Sequence, residues 1–96
     1  MHIISKRKLA DFWKRYPKAR VSMEAWFRIM SRGNFSSFNE LKKTFASADY
    51  VDGLIVFDIG GNNFRLIAAI HFNRGKVYVR DVLTHAAYDR NEWKRE

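Results

Sequence analysis

Leu54-Ile55-Val56-Phe57-Asp58-Ile59-Gly60-Gly61-Asn62-Asn63-Phe64-Arg65-Leu66-Ile67-Ala68-Ala69-Ile70-His71-Phe72 is the stretch from which the fold can be read. A short apolar run stops at two glycines and two asparagines, residue types that accept the positive φ of a tight hairpin turn. Beyond the turn, Phe64, Leu66, Ala68, Ile70 and Phe72 alternate with Arg65, Ile67, Ala69 and His71. A period of two marks a strand with unlike faces. Asn73-Arg74-Gly75-Lys76 repeats the turn signal, and Val77–Leu83 reads as a further strand, so a three-stranded antiparallel meander is expected.

Upstream of this meander the period is helical. Leu9, Phe12, Trp13 and Tyr16 share one helical face behind Ser5, which is expected to cap the helix, while Lys6, Arg7, Lys14 and Arg15 lie opposite. Pro17 should end this helix, since it lacks an N–H and pushes Tyr16 out of helical geometry. A second helix from about Ala19 to Arg32 carries Met23, Trp26, Phe27 and Met30 at the same spacing, with Gly33-Asn34 as its stop. Ser37 and Glu40 form a capping-box pattern before a short helical segment, Asn39–Phe45. His2–Ile4 is apolar enough to pair as a strand, Ala46–Gly53 reads as a loop, and Thr84–Glu96 as a last helical turn with a tail. The expected fold class is therefore α+β, a single two-layer domain over residues 1–96. An N-terminal strand and an αα-hairpin would pack on a mainly antiparallel sheet, leaving its other face, or part of it, for function.

Composition narrows the function. Hydrophobic residues make up 47% of the chain, enough to fold, and no apolar run approaches the roughly 20 residues of a membrane span. Met1–Lys8 lacks the long apolar core of a secretory signal, so the expected compartment is the cytoplasm and no membrane partner is expected. The absence of cysteine excludes disulfides, thiolate nucleophiles and cysteine-based zinc sites. The net charge of +8 is uneven: residues 1–44 hold eleven Lys/Arg against three Asp/Glu, and residues 45–96 hold seven of each. Such asymmetry suits a surface that tracks a phosphate backbone, although a merely solvated basic surface accounts for it as well.

Two motifs point further. Val56-Phe57-Asp58-Ile59-Gly60-Gly61-Asn62-Asn63-Phe64-Arg65-Leu66-Ile67 and Val79-Arg80-Asp81-Val82-Leu83-Thr84-His85-Ala86-Ala87-Tyr88-Asp89 resemble the strand–GGN–x–[YF]-R-L hairpin and the T-H-x-x-Y-D ending of the HigB branch of RelE-like toxins. Their separation, with a basic helical hairpin ahead of them, extends the resemblance over nearly the whole chain. It implies the RelE-like microbial RNase fold and the toxin of a type II toxin–antitoxin system. It also implies an endoribonuclease acting on messenger RNA at the ribosome, neutralised by a HigA-like helix-turn-helix antitoxin, with operator DNA engaged only through that antitoxin.

Metal-independent RNA cleavage requires a base for the 2′-OH, in-line geometry, charge stabilisation on the phosphorane and an acid for the leaving 5′-oxygen. His85 is the candidate acid or base, because an imidazole exchanges a proton near pH 6.5, roughly, in water. A strand-end histidine with a purely structural hydrogen bond is the bland alternative. Arg65 sits in an apolar strand, where an unpaired charge is costly. It must either pair with Asp58 or Asp81 or project onto the open face to bind phosphate, and the family pattern favours phosphate. Arg80 is a secondary candidate with a stronger ion-pair rival. Tyr88 either handles substrate or packs the tail onto the sheet, and Asp89 either orients His85 or caps the last turn.

His71 shares the Arg65 face but lies roughly 20 Å along the strand, so it is read as structural, and His2 as part of the first strand. RelE-like relatives commonly carry a lysine pair before or on the second strand. Here Asp49-Tyr50-Val51-Asp52-Gly53 holds none, and Lys42 and Lys43 come earlier, which throws more weight on His85. Lys6, Arg7, Lys8, Lys14, Arg15, Lys18 and Arg20 are candidates for docking ribosomal RNA. Trp93 is a candidate partner contact. Gly60-Gly61-Asn62 is read as a turn and nothing more. No cofactor or metal motif is present. A non-catalytic RNA- or ribosome-binding protein is the alternative from another class, and a DNA-binding module is weaker for want of a helix-turn-helix.

Overall fold

The computed structural model describes residues 1–91 and Trp93. Among them the chain runs β1 (His2–Ile4), α1 (Lys6–Arg15), a 3₁₀ turn (Pro17–Ala19), α2 (Arg20–Arg32) and α3 (Phe38–Thr44). It continues through β2 (Asp49–Val51), β3 (Leu54–Ile59), β4 (Phe64–His71), β5 (Lys76–Thr84) and α4 (His85–Asp89). The described strands form one sheet in the order β1-β5-β4-β3-β2, antiparallel except for the parallel β1–β5 pair. The two-layer α+β expectation holds. No described helix is long and apolar enough to cross a membrane.

The core lies between the sheet and the helices. Leu9 from α1 and Met23, Trp26 and Met30 from α2 meet Ile55, Phe57, Leu66, Ala68, Val77 and Val79 from the strands. Each large apolar side chain buried here contributes roughly 1.5–3 kcal/mol, which is what holds short helices onto the sheet. Phe12, Trp13 and Phe27, placed in the core by spacing, are half-buried and pack against its rim. Alternation turns Val56, Asp58, Arg65 and Ile67 to the opposite face. That face is only partly free, since Val56 and Ile67 are themselves buried.

Three local readings are corrected. The segment Ala46–Gly53 is not a loop throughout: Asp49–Val51 pairs with Leu54–Val56 as strand β2. The missed signal is Asp52-Gly53, both at positive φ, a hairpin dipeptide between Tyr50-Val51 and Leu54-Ile55. Ser5 precedes α1 with φ 73° and makes no side-chain cap. Gly33 ends α2 where the sequence places its stop, in an extended conformation, and the Met1 amino group donates to the carbonyls of Met30, Ser31 and Gly33. A side chain at Gly33 would strike the Phe35 ring, whose carbon lies 2.5 Å from the Cβ position. The Ser37 hydroxyl does accept from the Glu40 N–H, as the capping box requires, although the Glu40 carboxylate bonds Ser36. The third correction, at Asn62, belongs to the site.

Candidate active site

Arg65 is positioned by register. It faces Asp58 directly across the β3–β4 ladder, which brings opposite charges within side-chain reach. Its Nε lies 3.2 Å from Asp58 Oδ1. Nη1 donates to the carbonyls of Asn62 and Phe64 at 3.3 and 3.0 Å, and Nη2 donates to Asn62 Oδ1 at 2.6 Å. The residue is 8% exposed. Of the two readings of Arg65, the structure displays the ion pair with Asp58, and the guanidinium also ties down the hairpin turn. Asn62 is thus more than turn punctuation, because both its backbone and its side-chain oxygens hold the arginine.

The catalytic candidates ride on α4, a helix of only five residues that would not persist alone. Thr84 caps it, its Oγ1 accepting the Ala87 N–H at 3.2 Å. The His85 N–H donates to the Asn63 carbonyl at 2.9 Å, tying the first residue of the helix to the β3–β4 turn. On this short scaffold His85 Nδ1 meets Asp89 Oδ2 at 2.8 Å, an i,i+4 pair in which both side chains reach solvent. With Nδ1–H donating to the carboxylate, Nε2 carries the lone pair and is the nitrogen left for a substrate proton.

Tyr88 completes the cluster. Its ring lies over Arg65, 5.6 Å from Cζ, on the sheet face away from the helices. Trp93 stacks on the same ring, with centroids 5.4 Å apart and planes 6° from parallel. Burial pushes the Tyr88 phenol above its ordinary value of 10.0, with Asp49, Asp58 and Asp89 adding to the rise and Arg65 opposing it. The phenol is therefore a neutral hydrogen-bond donor at physiological pH. Trp93 packs within its own chain at this site.

The remaining candidates lie elsewhere. Between Ile67 and Ala68 the β4–β5 register shifts, so Ile67 pairs with Asp81, Ala68 with Val79, and Arg80 is the extra, bulged residue. Its exposed side chain lines a groove against α1 with Lys8, Asp11, Phe12 and Arg15, so it does not join the cluster around Tyr88. The rival ion pair of Arg80 with an adjacent aspartate is not formed, for Asp81 accepts the Val82 N–H at 2.9 Å. His71 stands edge-on to Tyr78. Lys42, on α3, bonds the Ala48 carbonyl at 2.9 Å and covers Phe38. Asp49, at the start of β2, acts on Tyr88 through its charge.

All seven helical cations proposed for docking are exposed, but they do not share one face. Lys8 and Arg15 flank β5, Lys6 lies over Phe27, and Arg20 pairs with Glu24. Arg7 and Lys14 lie between these rows on the outer side of α1 by helical spacing. Among the described residues, no group of three or more His, Asp or Glu side chains is placed to hold a metal ion.

Residues 19–91 match the family described as HigB_toxin, the RelE-like toxic component of a toxin–antitoxin system. The chain is similar to the mRNA interferase toxin HigB of Escherichia coli strain K12, with 36% identity over 92 residues that cover 93% of this chain and 88% of that one. The mRNA interferase HigB of Shigella flexneri matches to the same extent. That of Escherichia coli O6:H1 is 33% identical over 93 residues, covering 94% and 90% of the two chains.

Proposed function

This chain belongs to the HigB family of RelE-like toxins, and on that footing we propose that it is an mRNA interferase with His85 as its proton-transfer group. The observation that carries the reading is the His85–Asp89 pair, 2.8 Å apart at the exposed end of the sheet. A carboxylate on Nδ1 fixes the ring and its tautomer and stabilises the imidazolium that forms when Nε2 takes a proton.

In the proposed reaction, Nε2 removes the proton of a ribose 2′-OH as the oxygen attacks the adjacent phosphorus. The P–O5′ bond breaks and the leaving 5′-oxygen takes a proton from solvent water, with the His85 imidazolium returning its proton to the solvent, leaving a 2′,3′-cyclic phosphate and a 5′-OH. Tyr88, protonated at neutral pH, donates a hydrogen bond to the phosphate and positions it. Arg65 acts beneath Tyr88, steadying the ring and the turn, and reaches the phosphorane directly only if it exchanges its Asn62 contacts for phosphate oxygens. These steps need no cofactor. The ribosome supplies the messenger RNA, and an antitoxin of the HigA type is the cognate partner. Cytoplasmic action follows from that substrate.

Induced expression of wild type and His85→Ala, with growth recorded and messenger-RNA 5′ ends mapped, tests this. Wild type should arrest growth and create new cuts within coding regions, and His85→Ala should do neither. Arrest by both proteins without cuts would sink the nuclease reading in favour of a non-catalytic RNA- or ribosome-binding inhibitor.

A further inference from the structure

The fold leaves one strand edge open beside α1. β1 pairs only with Lys76–Tyr78 of β5, so the stretch from Val79 to Thr84 has β4 on one side and no described strand on the other. Between this stretch and α1 runs a groove of about 250 Å³ lined by Lys8, Asp11, Phe12, Arg15, Arg80, Asp81 and Val82. It continues past Phe12, Arg15 and Val82 into a second hollow of similar size, walled by Tyr16, Thr84, Ala87 and Arg90. The two make one trough that ends against α4. From Arg80 to Thr84 its length is about 13 Å at the rise of a strand.

An open edge commonly accepts a further strand. This one is blunted. Lys8 Nζ occupies the Arg80 carbonyl at 3.0 Å, and Asp81 Oδ1 occupies the Val82 N–H. What the trough offers instead is cationic side chains beside aromatic rings. Lys8 and Arg15, seven residues apart, lie on one stripe of α1 and face Arg80 across the groove. Among the described residues neither Arg15 nor Arg80 has a carboxylate within ion-pair distance. Phe12 and Tyr16 are half-buried along the same wall.

On the other side of α4 the charge has the opposite sign. Asp49, Asp58 and Asp89 act on Tyr88 through their charge, and Arg65, whose guanidinium lies under the ring, is already paired with Asp58. A polyanion approaching His85 from that side meets carboxylates, whereas one arriving along α1 meets Lys8, Arg15 and Arg80, which outnumber Asp11 and Asp81 in the same groove.

We propose that the trough between α1 and the open edge of β5 is a single-stranded RNA track that leads the substrate backbone over α4 to His85. The proposal rests on the nuclease reading and adds the direction of approach and the residues that hold the strand, Arg15 and Arg80 above all. Phosphates bind the cations, and bases meet the rings of Phe12 and Tyr16.

The test uses His85→Ala protein and a fluorescein-labelled single-stranded RNA of about 12 nucleotides, a length within the usual range of such sites, with binding followed by anisotropy over a salt series. Adding Arg15→Gln and Arg80→Gln together should weaken binding by about tenfold or more, and should flatten the slope of log K against log salt by about 1.4, as expected for two lost phosphate contacts. Arg28→Gln with Arg74→Gln removes the same charge from exposed positions outside the trough and should change affinity less than about twofold. Equal losses in the two pairs overturn the track, as does a parent protein that fails to bind the RNA at low salt. So does unchanged RNA binding with lost capture of a co-expressed antitoxin, which would make the trough a protein site. Growth arrest and cut mapping with the wild type judge the nuclease reading separately. Cuts in cells with unaltered binding in the Arg15/Arg80 variant remove the track alone, and absence of cuts removes the nuclease.

Discussion

At Arg65 one side chain makes an ion pair with Asp58, three hydrogen bonds into the Asn62–Phe64 turn and a platform for Tyr88. Truncating it leaves a partly buried carboxylate without its cation and turn carbonyls without their donor. Arg65→Ala should therefore cost about 2–3 kcal/mol, lowering Tm by on the order of 15 °C for a domain this small. A thermal melt checks this, and a variant that melts with wild type would leave Arg65 no structural role. Tyr88 bears on the same cluster. Because the folded protein holds the phenol proton more tightly than the unfolded chain, the associated stability is complete below pH 10.0 and is lost as pH climbs through the raised value. The phenolate absorbance that Tyr88→Phe removes should accordingly appear only above pH 10.0. Its appearance at lower pH would contradict the buried, acid-ringed setting.

At the scale of elements, α4 matters most. Five residues cannot form a stable helix by themselves, so the geometry of His85 and Asp89 depends on the Thr84 cap and the tie from His85 to Asn63. Thr84→Val keeps the side-chain shape but removes the cap. The expected loss is about 1 kcal/mol, felt as fraying of α4, so RNA cleavage should drop by roughly a factor of five while the Tm of the sheet barely moves. Unchanged cleavage would show that the helix is held by Tyr88 and its packing alone. β2 teaches a related lesson. Its three residues show no alternation of their own, and the strand forms because Asp52-Gly53 turns it back onto β3. The same pairing puts Asp49 where its charge reaches Tyr88.

Over the whole molecule, the excess of basic residues in the first half of the chain becomes several surfaces rather than one. Cations on different stripes of α1 point toward α2, toward solvent and toward β5, and only the last group is joined by Arg80 from the second half. The α+β layering, the helical pair, the meander and the candidates His85, Tyr88 and Asp89 were legible in the sequence. Hydrophobic period, turn dipeptides and the T-H-x-x-Y-D motif are local patterns, and local patterns survive in one dimension. The choice between the two seats offered for Arg65, the exit of Arg80 from the cluster and the trough beside β5 were not legible. Each depends on cross-strand register, on a one-residue bulge or on where β1 stops pairing. Those are settled by how elements pack against one another, so only the tertiary structure could decide them.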